Sequence, residues 1–506
     1  MADARLTRRS LLSALGGAGI AREALAQTPE ATPGTLMRIP KLRIGVAGDP
    51  DVSTPAGASS MDAMWLSSLV YDAPMRWNAD GQVIPGLFAT TAASKSSTIQ
   101  LRSRVGAMFS SGSPVTSRHL ASAIDVLRNS RHAWRLQNVG EVVELDASTL
   151  RISMERADAS LMAHLCHPIF GLDDAGLGTG PFVPELFDDA STVYQRNSVY
   201  WQVGRPHVDR LELITIADDI QRSLAMATGK LDVLPNVPLL DVPMLENEPA
   251  VYLVGGPSNR LCHLQLRLSE PVLANRRVRQ ILSGAIDRSG LVAVATANQA
   301  EPASTLFAGD LWTSGVEEVA SISAQNVRAE LQSLGIPSDL RLHLLADNAD
   351  ATLANTAVIL QEQLANCGIS LSIDLLEGET LQDAIETGDY DLLVTYSEPW
   401  RDPHELVWPL LSSLGPRNWS GYDSVEVDTL LRAAIAISDV EFRVERYSRL
   451  ESIIQKDVPC IPLFRPHVWD AVRTDFPGYS LLPPVTSRGL LTLLPTEAAR
   501  LWHDFD

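Results

Sequence analysis

The 506-residue chain is short of cysteine, of lysine and of long apolar runs, and each shortage narrows what it can be. Cys166, Cys262, Cys367 and Cys460 form no C-x-x-C pair, and they are too sparse for disulfides to hold a chain of this size together. Buried free thiols are expected for at least two of them. Lysine occurs only as Lys41, Lys95, Lys230 and Lys456, so nearly all positive charge is arginine. A formal net charge of -20 argues against nucleic acid or an anionic membrane surface as partner, because both require clustered cations. No segment after the N-terminal region approaches the roughly 18 apolar residues that a membrane span needs. G-x-S-x-G, S-x-x-K and H-E-x-x-H are missing too, which removes the local signatures of hydrolysis and leaves binding as the favoured activity. A secreted enzyme is the alternative from another class; unlike a binding protein, it would return its bound molecule chemically changed.

What is present begins at the N-terminus. "LTRRSLLSALGGAGI" places Arg8 and Arg9 before an apolar, small-residue run, and "ALA" at Ala24 to Ala26 offers a small-x-small cleavage site. Residues 1–26 therefore read as an export signal of the twin-arginine type, although Arg22 and Glu23 interrupt the approach to the cleavage site. Removing them takes the formal charge to -22. The remaining length suits two to four domains of about 150 residues each.

"GLGTGPFVPELF", Gly176 to Phe187, carries three glycines at alternate positions and looks like a phosphate cradle. It lacks the Gly-Lys-Ser/Thr of a P-loop, and Pro181 removes a backbone N–H just where a cradle needs one. A turn that needs glycine backbone angles is the better reading.

Strand and helix patterns alternate along the chain. "TSRHLASAIDVLRNS" reads as a helix capped by Thr116 or Ser117, and "VDRLELITIADDIQRSLAMATGKLDVLPNVP" as strand, capped helix and strand. "ANTAVILQEQLANCGISLSIDLL" gives a helix stopped at Gly368 and then a strand; "LQDAIETGDYDLLVTYS" repeats that order. This alternation predicts α/β layers with parallel strands. "LLPPVTSRGLLTLLP" suggests a last return to a sheet.

In sequence order, "NADGQVIPGLFAT", "LRSRVGAMFSSGSPVTSRHLASAIDVL", "GTGPFVPELFDDASTVYQRNSVYWQVGRPHVDRLELITIAD", "GKLDVLPNVP", "NRRVRQILSGAIDRSGLV", "LQEQLANCGISLSI", "GDYDLLVTY" and "RYSRLESIIQKDVPCIPLF" resemble the family 5 extracytoplasmic solute-binding proteins, the peptide and nickel group that serves ABC importers. The resemblance implies an α/β, two-lobed periplasmic-binding-protein type II fold with an extra subdomain in the first lobe. It implies a first lobe from 27–56, 180–262 and 472–506, an extra subdomain at 57–179, and a second lobe at 263–471. Crossovers are expected near "NRLCHLQL" and "VPCIPLFRP"; they carry Cys262 and Cys460, so a disulfide across the hinge is conceivable. The implied protein is a periplasmic monomer without cofactor. It captures a small-molecule or peptide ligand and presents it to a membrane permease, with nickel or a metal chelate as the alternative ligand.

Candidate site residues cluster after the strand pattern "YDLLVT", because ligands of open α/β sheets bind beyond the carboxyl ends of strands. In "YSEPWRDPHELVWPLLSS", Trp400 offers an apolar face, Arg401 a fork for carboxylate or phosphate, and Asp402 a charge that could instead cap the next helix. Glu398 and His404 complete that loop, and "RNWSGYDS" adds Asn418, Trp419 and Tyr422, which the resemblance places facing the cleft. Peptide binders of the family hold the peptide ammonium with an Asp four residues before the loop proline. Counted back from Pro403, that position is Pro399, with Glu398 beside it. "HLCHP" groups His164, Cys166 and His167, but a metal site needs three or four convergent ligands, and buried residues at a helix end are the simpler reading; no metal site is expected there. His263 reads as a packing residue.

Overall fold

A computed structural model describes residues 38–48, 55–57, 61–77, 82–90, 97–174, 176–187, 191–202, 204–307, 319–337, 339–398, 400, 402–437 and 439–476. The export signal, Pro399, Arg401 and the segment "LLPPVTSRGLLTLLP" lie outside the described residues.

Among the described residues a mixed sheet of twelve strands carries the fold. From one edge it runs Phe182–Phe187, Ser191–Arg196, Arg210–Thr215, Leu42–Val46, Val233–Leu234, Cys460–Arg473, Cys262–Leu266, Leu392–Tyr396, Leu340–Asp347 and Ile369–Leu376. Val251–Pro257 and Ala300–Pro302 also pair with Cys460–Arg473. The expected parallel pairs lie in both halves. Leu42–Val46 runs parallel to Arg210–Thr215, and Leu340–Asp347 runs parallel to Ile369–Leu376 and Leu392–Tyr396.

Parallel strands need helical crossovers, and local chemistry marks their ends. The Asp350 carboxylate accepts from the Leu353 N–H to start Ala351–Ala365, and Gly368, at φ 82°, turns the chain into the next strand. Gly378–Thr387 ends on the left-handed Gly388, which no side-chain-bearing residue fills as cheaply.

The strand Cys460–Arg473 belongs to two lobes. Its first half pairs with Cys262–Leu266 and Ala300–Pro302, and its second half with Val251–Pro257 and Val233–Leu234. The pairing changes between Pro466, opposite Ala300, and His467, opposite Pro257. Among the described residues the chain therefore crosses between lobes here and at 258–261. Each lobe has its own core, Leu42, Ile44, Leu211 and Leu213 in the first and Leu264, Leu344, Ile369 and Ile461 in the second.

The extra subdomain is a four-stranded antiparallel sheet in the order Phe88–Thr90, Thr98–Ser103, Thr149–Met154 and Val139–Glu144. The helix Ser117–Arg128 lays Leu120, Ile124 and Leu127 against it. Thr116 is the N-cap, and its backbone N–H donates to His119 Nδ1 at 3.0 Å.

The glycines of "GLGTGPF" serve the re-entry from this subdomain into the first lobe. A Cβ on Gly178 would lie 1.8 Å from the Val70 carbonyl oxygen, and one on Gly180 2.5 Å from the Val70 carbonyl carbon. The Gly180 N–H instead donates to that oxygen at 2.8 Å. All four cysteines are buried and free. Cys262 stands opposite Phe464 and Cys460 opposite Gln265, so the two sulfurs do not meet across the hinge.

Candidate functional site

The loop after Leu392–Tyr396 sits where the second lobe meets the crossover, with Ser397 N–H donating to Leu261 O at 2.8 Å. Most of its chemistry is turned inward. Trp400 is 1% exposed; its indole N–H donates to Asn259 O at 3.1 Å and its ring meets Phe307 edge-on at 6.0 Å. Asp402 caps the helix Pro403–Leu411 by accepting from His404 N–H at 2.9 Å, while Arg443 donates to both of its oxygens at 2.7 and 2.8 Å. Burial works against the Asp402 charge, but Arg443 outweighs it and keeps the carboxyl below its ordinary range. His404 is enclosed, stacked on Trp408 at 5.3 Å, and burial brings it down to about 4 against the pull of Asp402.

The second loop is also committed to the fold in part. Asn418 Nδ2 donates to Ser412 O at 3.0 Å and Tyr422 O at 2.7 Å, and its Oδ1 accepts from Ser420 and from Tyr422 N–H. Tyr422 is buried with its hydroxyl on Asp457 at 2.7 Å. Trp419 stays partly exposed, with the Arg417 guanidinium 5.0 Å from its ring centroid.

Of the residues singled out in the sequence, Glu398, Asn418 and Trp419 thus keep exposed surface, while Trp400, Asp402, His404 and Tyr422 are buried. Around Glu398 the structure gathers arginines that sequence spacing could not have paired. Its side chain is 33% exposed and reaches Arg135 at 3.3 Å and Arg417 at 3.7 Å. Burial opposes its charge, but Arg417, then Arg135, His132 and Arg131, hold the carboxyl below its ordinary range. Arg417 also donates to Tyr396 O at 3.0 Å. Burial brings Arg417 down from its ordinary value; Glu398 works in the opposite direction, and Arg260 and Arg131 add to the lowering. Arg260 lies on the first crossover, its guanidinium 3.9 Å from the Tyr396 ring centroid and its Nε buried without a hydrogen-bond partner among the described residues. Arg131 and Arg260 thus both act on Arg417, Arg131 also on Glu398 and Arg260 on the Asp350 carboxylate.

"HLCHP" is structural in its geometry. His164 Nδ1 lies 2.9 Å from Arg135 O, His167 caps the turn Pro168–Phe170, and Cys166 Sγ points at Met162 O. Among the described residues no group of three His, Cys, Asp or Glu is placed to hold a metal ion. No described helix is long and apolar enough to cross a membrane.

The described residues thus form two lobes joined by crossovers, with a cluster of charged side chains at the junction. The chain belongs to the bacterial extracellular solute-binding proteins of family 5, whose middle region matches residues 82–418. It is 23% identical over 408 residues to the glutathione-binding protein GsiB of Salmonella typhi, covering 75% of this chain and 80% of that protein. It is 25% identical over 374 residues to the peptide transport periplasmic protein SapA of Salmonella typhimurium, covering 68% of each. Among solved structures, AgaA from A. tumefacien R10 in complex with agropinic acid superposes with a TM-score of 0.82 at 19% identity, over 91% of this chain and 98% of that one. NikA from Staphylococcus aureus with Ni(L-His)2 gives 0.78 at 17% identity, over 90% and 99%.

Proposed function

We propose that this protein is the receptor of an ABC importer for a small solute carrying a carboxylate, which it seats between the lobes beside Arg417, Arg131 and Arg260. The observation that carries the reading is the arginine cluster at the junction: Arg417 and Arg135 meet Glu398, and Arg131 and Arg260 both act on Arg417. A desolvated arginine fork binds a carboxylate through charge-assisted bonds and so favours anions over neutral solutes. Glu398 is already shared by two arginines, which leaves it a poor seat for the ammonium group of an ordinary peptide. Trp419 supplies an apolar wall, and Arg401 stays in the proposal as a further fork on the same loop. Trp400, Asp402, His404, Asn418 and Tyr422 position that wall.

The relatives fit this chemistry: AgaA is described with agropinic acid, NikA with a histidine complex of nickel, and GsiB as a glutathione binder. A metal would enter here as a chelate whose ligand carries a carboxylate. Solute contacts to both lobes favour the closed form by their differential affinity, and the closed lobes then face the permease. The mature chain acts as a monomer in the periplasm, reached through the twin-arginine signal; changing Arg8 and Arg9 to Lys should block export, and normal export would remove that signal type. The receptor reading is tested by mass spectrometry of the molecule that copurifies with the protein from its native compartment. An unaltered solute bearing a carboxylate is expected; one without a carboxylate, or a chemically converted one, would overturn the reading.

A further inference from the structure

The extra subdomain and the second lobe meet over buried histidines. Arg135, in the turn Ala133–Leu136, donates to Glu405 Oε1 at 2.7 Å, and the Ala159 N–H donates to Ile435 O at 2.8 Å; Glu405 and Ile435 belong to the second lobe. His164 of the subdomain is 1% exposed and His404 of the lobe is fully enclosed. Gln137 Nε2 lies 3.3 Å from His404 Nε2. An amide NH2 can only donate, so that ring nitrogen must be bare, and the proton sits on Nδ1, which is buried without a hydrogen-bond partner among the described residues. This contact holds only for the neutral ring. His164 Nδ1 lies 2.9 Å from Arg135 O, which can only accept. A second proton on His164 would go to Nε2, 3.8 Å from the Glu405 oxygen that Arg135 already holds.

We propose that His164 and His404 make the contact between the extra subdomain and the second lobe a pH-sensitive joint, firm near neutral pH and loosened when the two rings take up protons. The surroundings oppose a proton on either ring. For His164, burial acts first and Arg135 adds to it, against Glu405 and Asp158. Burial brings His404 down to about 4, with His164 and Arg443 adding to the lowering and Asp402 and Asp158 opposing it. Asp158 is itself committed within the subdomain, accepting from Asn138 Nδ2 at 3.0 Å and from the Ser160 N–H at 2.9 Å. His167 is kept below its ordinary value by burial and then by Arg135, His132 and His164, so no neighbouring histidine takes the proton instead. The aromatic neighbours, Trp134 at 5.6 Å from His164 and Trp408 at 5.3 Å from His404, carry no charge. Drawn apart, both rings would face water and titrate near their ordinary 6.5. Since His404 titrates lower within the contact than outside it, its contribution is complete above pH 6.5 and is lost as the pH falls from 6.5 toward 4. Solute contacts to both lobes draw the same bodies together, so on the receptor reading solute and acid act on this joint in opposite directions.

The test needs no solute, so it can fail without touching the receptor reading. The mature chain is stripped by unfolding and refolding. Native-state hydrogen exchange, read by mass spectrometry and corrected for the intrinsic pH dependence, then gives the opening constant at the Ala159 N–H, whose acceptor lies across the joint. In the parent this constant should rise about tenfold or more from pH 7.5 to pH 5.5, the change produced by moving His404 from 6.5 to about 4. His164→Gln combined with His404→Gln keeps both sites uncharged and should leave a rise of about twofold at most. A parent constant that stays level over this range would overturn the joint, as would an equal rise in the double variant. The strand Thr149–Met154 lies inside the subdomain sheet and reports general unfolding, so a matching rise there would overturn it too. If the double variant does not refold, His404→Gln alone should remove the His404 share of about tenfold, and an unaltered rise overturns the joint equally.

Discussion

Two stretches flank the same strand end and use similar residues to different ends. Residues 400–408 carry the denser chemistry, yet Trp400, Asp402 and His404 are enclosed, and the two charged or polar groups that matter most there, Asp402 and His404, face Arg443 and Gln137. Residues 396–398 and 417–419 look plainer, yet Glu398, Arg417 and Trp419 keep surface and stand in the field of further arginines. The first stretch is buried support, and the second keeps surface. Richness in Trp, Asp and His marks where the chain builds a rigid support as readily as where it meets a solute.

The largest expected effect lies in the supporting stretch. Asp402→Ala would leave Arg443 buried against an empty acceptor, a loss of about 3–5 kcal/mol. Urea unfolding should show this as a lower midpoint, while the folded fraction keeps its solute affinity; equal loss of affinity at unchanged stability would move Asp402 to the solute face.

Acid should act on the support next. Burial, and then the charge of Arg417, brings His263 down to about 4. Its folded acidity lies below the ordinary 6.5, so it contributes stability above pH 6.5 and loses it as the pH falls toward 4, worth about 3 kcal/mol. Burial pushes Asp72 and Glu451 up to about 7, which works the other way, adding stability as the pH falls from 7. His263→Gln should therefore flatten the acid limb of the unfolding profile by about 3 kcal/mol between pH 7 and pH 4. An unchanged limb would mean that His263 does not carry it.

A smaller effect belongs to the exposed face. Trp419→Leu removes the ring beneath Arg417, which also packs on the cluster of Leu345, Tyr390 and Leu393, and should weaken solute binding by about fivefold, near 1 kcal/mol, with a smaller drop in the unfolding midpoint than Asp402→Ala gives. A large stability loss with unaltered binding would place Trp419 with Trp400.

Much of the fold was legible. The periodicity placed the helices Ala351–Ala365 and Gly378–Thr387 and the strands beside them, and Thr116 and Gly368 marked ends because capping is a short-range interaction. The crossovers were suggested by the family resemblance and not by local pattern. The charged cluster was not. Arg135 meets Glu405 across 270 residues and Arg417 meets Glu398 across a loop, and no local spacing encodes either pair. The one available hint was the arginine density of "SRHAWR" and "PRNW" beside aromatic residues, in a chain otherwise strongly acidic. Asp402 shows the converse: Asp before Pro403 read correctly as a helix start, but its guanidinium partner, Arg443, comes from a helix 41 residues on.

The central claim is that a guanidinium cluster at the lobe junction selects the solute by its carboxylate. The most direct measurement titrates the copurified solute and its carboxyl methyl ester against the parent protein and Arg417→Ala. The parent should bind the acid about 30-fold or more tighter than the ester, a difference near 2 kcal/mol, and Arg417→Ala should erase most of that gap. Equal binding of acid and ester by the parent would contradict the account.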